Sequence, residues 1–217
     1  KMVLAFSTMS QVGFIIVGLK SGGLGYAGAH TLYKSLLFLS VGYFYHIYQS
    51  KDCKGERKQV PITLFIAFLV GFLSFSGIPF FIGSSFKQEI IKNSCSIVSL
   101  SLKFISIISI FALCKILFLL KPTKKLFLLP YYDFGIILLA AISMIVGSVN
   151  TLALFSIKDF IEGIIILFIS ILFYFFLSKR LILYYPYKIF KLSSALAIFS
   201  IIIAIIMSLS LIGLPII

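Results

Sequence analysis

The sequence predicts an all-α membrane protein, a bundle of seven or eight transmembrane helices that includes one broken helix. Three observations carry this. Hydrophobic residues make up 61% of the 217 residues and charged residues 12%, against roughly 45–50% and about 25% in ordinary globular domains. The apolar residues fall in long runs near the ~20 residues that cross a bilayer as a helix. One short run is interrupted by Gly, Pro and Ser just before a lysine. A chain this apolar needs lipid or partner helices to cover it.

The runs are taken in order. Residues 2–19 hold only Ser, Thr, Gln and Gly as polar interruptions, and Gly22, Gly23 and Gly25 make a turn after them. Residues 26–48 form the second run. The most polar stretch follows, with Lys51, Asp52, Lys54, Glu56, Arg57 and Lys58. Residues 61–76 are apolar up to the break at Gly77-Ile78-Pro79. Residues 80–94 are short and interrupted. Residues 97–120 are apolar apart from Lys103 and Lys115. A loop with Lys121, Pro122, Lys124 and Lys125 leads to three further spans, 134–155, 160–177 and 192–214. Helices satisfy their own backbone hydrogen bonds in lipid, and open strands cannot. The runs show no period-two alternation, which excludes a transmembrane barrel.

Nineteen Lys and Arg against six Asp and Glu give a net charge of +13. The basic residues cluster between the apolar runs, as membrane-flanking charge does, so no nucleic-acid partner is expected. Orientation stays open. Residues 80–94 as a full crossing spread the basic residues over both sides. The same residues as a re-entrant segment put the loops around 51–58, 121–125 and 179–191 on one side, a positive-inside pattern.

Chemistry is sought in charges inside apolar spans. Such residues are costly in lipid and mark ion or proton paths. His30 and Lys34 stand at i and i+4, on one helical face, with apolar sequence beyond Lys34. Lys87 follows the Gly-, Pro- and Ser-bearing stretch from Gly77 to Ser85, the signature of a broken helix whose freed backbone groups can bind water or ions. Glu89 lies two residues on and can pair with Lys92. Lys115 sits near the end of its run and Lys103 near the start, where it snorkels. Lys158, Asp159 and Glu162 read as interfacial, and His46 as part of an aromatic belt. Cys53, Cys95 and Cys114 have no CxxC spacing and no companion histidines, so neither a disulfide framework nor a zinc site is expected. No phosphate loop, HExxH, GxSxG or DxDxDG motif is present. The loops lack the acids and histidines that a membrane enzyme acting on a lipid-linked substrate would need. No cofactor and no metal are expected. No cleavable signal pattern is evident, and a start inside an apolar segment is read as a chain that begins partway through a larger protein.

Three motifs resemble the antiporter-like proton-translocating subunits of respiratory complex I and of Mrp-type multisubunit sodium/proton antiporters. Lys1-Met2-Val3-Leu4-Ala5-Phe6-Ser7-Thr8-Met9-Ser10-Gln11-Val12-Gly13-Phe14 is similar to K-R-x-L-A-Y-S-S-x-S-Q-x-G-Y. His30-Thr31-Leu32-Tyr33-Lys34-Ser35-Leu36-Leu37-Phe38-Leu39 with Gly42 is similar to H-A-x-F-K-A-L-L-F-L-x-x-G. Gly77-Ile78-Pro79-Phe80-Phe81 with Gly83 and Lys87 is similar to G-x-P-P-x-x-G-F-x-x-K.

The resemblance implies that residues 1–120 are the second of two inverted five-helix repeats, and that 121–217 supply three additional C-terminal transmembrane helices. It puts Lys34 on the central lysine, His30 one turn before it, and Lys87 on the broken-helix lysine, with Glu89 at the spacing some members show; Lys115, from its place in its own run, is read as extending the path. Tyr26 stands where some members have a second histidine, Gln88 where some have an acid, and Phe80 where the second proline falls. The implied function is proton, or sodium/proton, translocation through buried Lys, His and water. Desolvation disfavours the charged form of a buried lysine, which makes it a relay. The implied chain is a transporter subunit, under NADH:quinone oxidoreductase translocases, in a bacterial or mitochondrial inner membrane. Its implied partners are other membrane subunits and a missing N-terminal half. The competing expectation is a structural membrane subunit with an inactive channel.

Overall fold

The computed structural model describes residues 2–48, 58–123, 130–154 and 156–182. Seven of the eight apolar runs fall within them, and each contains a helix: α1 (Met2–Val17), α2 (Gly23–Tyr48), α3 (Ile62–Ser76), α4 (Ser84–Asn93), α5 (Ser96–Leu119), α6 (Pro130–Leu154) and α7 (Ile157–Ile182). The expected span at 192–214 lies outside the described residues, as do Lys51, Cys53, Lys54 and Lys124–Lys125. Ser96–Leu119 and Ile157–Leu177 are each long and apolar enough to cross a membrane.

The outer surface of the bundle is apolar, unlike that of a water-soluble one. On α1 and the turn after it the buried stripe is Leu4, Ser7, Gln11, Phe14 and Gly18, at three- and four-residue steps, while Met9, Val12, Ile16 and Leu19 face outward. Large apolar residues cover the outside while the interior mixes apolar side chains with buried Ser and Gln, which departs from the usual partition and suits lipid. α6 and α7 show the same outward surface, with Ile145, Val149, Phe168 and Phe176 exposed over the buried Ser143 and Ser170. Each of those serines returns its hydroxyl to the carbonyl four residues earlier, so it is satisfied within its own helix.

α3 sits at the centre, packed against α2, α5 and α6, and α1 bridges α2 and α5. Leu4, Tyr33, Leu37, Phe68, Phe72, Phe75, Ile110 and Leu113 form the core where these helices meet.

One departure from the all-α expectation is a short parallel strand pair, β1 (Lys58–Pro61) with β2 (Leu120–Thr123), in register Lys58 to Leu120. It joins the start of α3 to the end of α5. Tyr48, at the end of α2, donates its hydroxyl to the Gln59 carbonyl, and the Lys58 ammonium lies 5.7 Å from the Tyr48 ring centre. One end of the bundle is thereby tied together. At the other end Lys92 pairs with Asp159 at 2.6 Å and Lys103 with Glu162 at 2.6 Å. The expected Glu89–Lys92 pair does not form, because Lys92 reaches α7 instead. Lys103 is likewise partnered rather than simply snorkelling.

The break runs from Gly77 to Gly83, shorter than the Gly77 to Ser85 stretch. α3 ends at Ser76, Gly77 takes the left-handed conformation at φ 80°, and its N–H caps the α3 carbonyls. Helix resumes at Ser84, after Gly83 at φ 96°. Lys87 therefore lies in the first turn of α4 and not in the unwound stretch. Gly77 and Gly83 are needed because residues with a Cβ resist positive φ.

Candidate functional site

Two lysines far apart in sequence meet the same aromatic ring inside the bundle. Lys34 is 4% exposed and Lys87 3%. The Lys34 ammonium donates to the Ser7 hydroxyl at 2.6 Å and to the Leu4 carbonyl at 3.2 Å, both on α1. The Lys87 ammonium donates to the Phe75 carbonyl at 3.4 Å. Lys34 Nζ lies 5.0 Å from the Phe75 ring centre and Lys87 Nζ 5.9 Å from it. The two ammoniums are thus separated by no more than those distances combined. Lys87 Nζ also lies 5.2 Å from the Phe14 ring.

The local fold explains the placement of Lys87. Phe75 and Ser76 end α3, where carbonyls lack intrahelical donors. The Gly77 and Ile78 N–H groups take the Ser74 and Leu73 carbonyls, and the Lys87 ammonium takes that of Phe75. A cation at a helix C-terminus is favoured by the helix dipole, so Lys87 reaches back across the break to the better end. Gly77 leaves room for its stem, since a Cβ there would sit 3.1 Å from Lys87 Cδ.

His30 is buried on α2 one turn before Lys34, edge-on to Tyr33 at 5.3 Å. Tyr33 is in turn edge-on to Phe75 at 6.0 Å. Both His30 and Lys34 point inward, as their spacing predicts. Glu89 is half-buried against Gly22, at the end of the bundle opposite the strands. Lys115 is half-buried near the strand end of α5. Lys34 and Lys87 converge, with His30 one turn from Lys34, while Glu89 and Lys115 lie toward opposite ends. His46 is exposed in the last turn of α2, where an interface belt belongs.

Sequence reasoning missed a buried polar chain beside the lysines. The Tyr26 hydroxyl donates to Gln11 Oε1, and the Tyr26 and Tyr33 hydroxyls are 3.2 Å apart. With Tyr26 donating to the amide, Tyr33 donates to Tyr26. Ser10 and Ser109 hydroxyls, 3.0 Å apart, link α1 to α5. Gln11 Nε2 and His30 Nε2 are buried without a hydrogen-bond partner among the described residues. Buried polar atoms of this kind are normally met by ordered water. Gln11 was detectable as the polar member of the Leu4–Ser7–Gln11–Phe14 stripe. Its pairing was not, because that depends on how α1 is rotated against α2.

A test of this chain is Tyr26→Phe. It keeps the ring and strands the buried Gln11 carbonyl, which costs about 1–3 kcal/mol. The protein should melt at lower temperature in detergent, with its helix content unchanged. An unaltered melting temperature would mean that the hydroxyl carries no net stability.

The model of a family described as NADH:quinone oxidoreductase/Mrp antiporter, TM, matches residues 1–112. The chain is similar to NADH-ubiquinone oxidoreductase chain 5 of Acanthamoeba castellanii, 36% identical over 120 residues, covering 52% of this chain and 18% of the relative. It is similar to NADH-quinone oxidoreductase subunit L of Buchnera aphidicola, 32% identical over 139 residues, covering 54% and 22%. It is also similar to the chloroplastic NAD(P)H-quinone oxidoreductase subunit 5 of Physcomitrium patens, 39% identical over 107 residues, covering 42% and 15%. The chain spans about a fifth of the length of these curated relatives. No solved structure matches it.

Proposed function

The chain belongs to the NADH:quinone oxidoreductase/Mrp antiporter transmembrane family, and from that premise we propose that it carries protons, or exchanges them for sodium, across an inner membrane, bacterial or mitochondrial, as one part of a multisubunit complex. The observation that carries this reading is the meeting of Lys34 and Lys87 at one buried ring. Two buried cations at one place oppose stable packing, and in membrane helices such residues mark ion and proton routes. In this reading protons pass along water between Glu89, Lys87, Lys34 with His30, and Lys115. Residues 1–120 serve as one five-helix repeat, and 121–217 as helices that follow it. Partners are the complex's other membrane subunits, including one that supplies the first repeat.

The two tied ends support one membrane orientation. β1 precedes α3 and β2 follows α5, and the two are paired, so α3, α4 and α5 together return the chain to the side it left. α3 has 15 residues and rises about 22 Å, less than the ~30 Å hydrocarbon core. α3, the break and α4 then complete one crossing as a broken helix, and α5 makes the return. The basic connections adjoining Tyr48, Lys58 and Lys121 leave from the strand end. Toward the opposite end lie fewer basic residues, Lys20, Lys92, Lys103 and Lys158. The positive-inside rule assigns the strand end to the cytoplasm or mitochondrial matrix.

The test is Lys34→Ala in sealed vesicles holding the assembled complex. Driven proton uptake should fall severalfold, while Lys54→Ala in the polar loop changes nothing. Normal uptake by an assembled Lys34→Ala complex would leave the chain a structural subunit with an inactive channel.

A further inference from the structure

We propose that Phe75 is the gate between the two lysines. Its ring blocks proton passage from Lys87 to Lys34 until the side chain swings away. The proposal rests on the proton-path reading of the same site and goes beyond it by naming what holds the path shut.

The position of the ring follows from α1. Lys87 meets α1 at Phe14, and Lys34 meets it at Ser7 and Leu4. Seven residues, from Ser7 to Phe14, rise about 10 Å along a helix, so the two ammoniums engage α1 two turns apart. Both lie over the Phe75 ring, which is 1% exposed. A phenyl ring has no hydrogen-bond donor or acceptor, so it cannot take part in a wire of hydrogen-bonded water.

The same residue also holds the cations at the barrier. The face of an aromatic ring attracts an ammonium within about 6 Å, and the Phe75 carbonyl accepts from Lys87. The acceptors of Lys34 lie on α1 and that of Lys87 lies on α3, so the two lysines share no acceptor atom. Tyr33 packs edge-on against the ring, and its hydroxyl is tied to Tyr26. The buried polar chain therefore braces the gate without bridging the lysines. Phe75 stands two residues before Gly77, where α3 stops. A small movement of the break shifts the ring and the Lys87 acceptor together.

The experiment uses sealed vesicles holding the assembled complex, with the driving reaction off and a potassium diffusion potential imposed. A trapped dye reports internal pH. Phe75→Ala should raise passive proton entry about tenfold, the effect of a modest fall in barrier, and combining it with Lys87→Ala should return entry to the unsubstituted level. Phe75→Val, a smaller truncation, should raise entry less but in the same direction, and it stands in if the alanine variant does not assemble. Unchanged entry, in a complex whose driven pumping is lost with Lys87→Ala, overturns the gate and leaves the path. A rise that persists in the double variant also overturns the gate, because the leak then runs elsewhere. Driven pumping indifferent to Lys87→Ala and Lys34→Ala removes the path, and the gate with it.

Discussion

Lys87→Ala is expected to bring driven proton pumping by the assembled complex down to background. A positioned proton-carrying side chain contributes on the order of 10²–10⁴ in rate, and Lys87 is the described lysine that spans the break from α4 to the end of α3. Its loss leaves the stretch between Phe14, Phe75 and Gly77 lined by apolar groups that order water poorly. Assembly should persist, as judged by abundance on native gels. The substitution removes a buried cation, which is costly to desolvate, and gives up one long hydrogen bond, at 3.4 Å, and the contacts with the Phe14 and Phe75 rings.

Two companion substitutions separate charge from bulk. Lys87→Met keeps the length and flexibility of the stem without the ammonium and should pump no better than alanine. Lys87→Arg keeps the charge but stays protonated at any working pH, so it too should fail. Pumping retained by the arginine variant would mean that a fixed charge suffices and that no proton leaves this residue.

What the sequence could reveal followed from local pattern. The run at 97–120 became α5 almost to the residue, because nothing in it competes with a helix in lipid. The burial of Lys34 was legible because its neighbours on both sides are apolar. Gly77-Ile78-Pro79 announced the break. Where helix resumes was less legible, since Ser84 and Ser85 continue the Gly- and Pro-bearing interruption. The Gly83 turn and the cover of α6 decide it. Phe75 carried no signal at all, as one of 24 phenylalanines in a run where any could have met the lysines. The Lys92–Asp159 pair joins residues 67 apart in sequence, which no local pattern reports. The strand pair was equally hidden. Lys58–Pro61 and Leu120–Thr123 each carry a proline and only four residues, and their pairing exists because α3 and α5 bring them together.

Gly147→Ala is expected to destabilise the protein, against the ordinary effect of that change. Within a helix, alanine is better than glycine by about 1 kcal/mol. Gly135→Ala, on the same helix with nothing within 4 Å of its Cβ position, should therefore be neutral or stabilising. At Gly147 a Cβ would lie 2.4 Å from the Ile82 nitrogen, 2.5 Å from the Phe81 carbonyl carbon and 2.8 Å from the Phe80 oxygen. All three are backbone atoms of the break, so no rotamer change can relieve the overlap. Either α6 moves off or the break shifts. Phe80 already holds a φ of 71°, which leaves the segment little freedom. Overpacking of this kind costs about 1–3 kcal/mol, so unfolding in detergent should begin at lower temperature for Gly147→Ala than for Gly135→Ala. Because residues 77–83 set the Phe75 carbonyl against Lys87, any variant that still assembles should also pump less. Equal stability of the two alanine variants would show that α6 does not press on the break, and Lys87 would then owe its position to α3 and α4 alone.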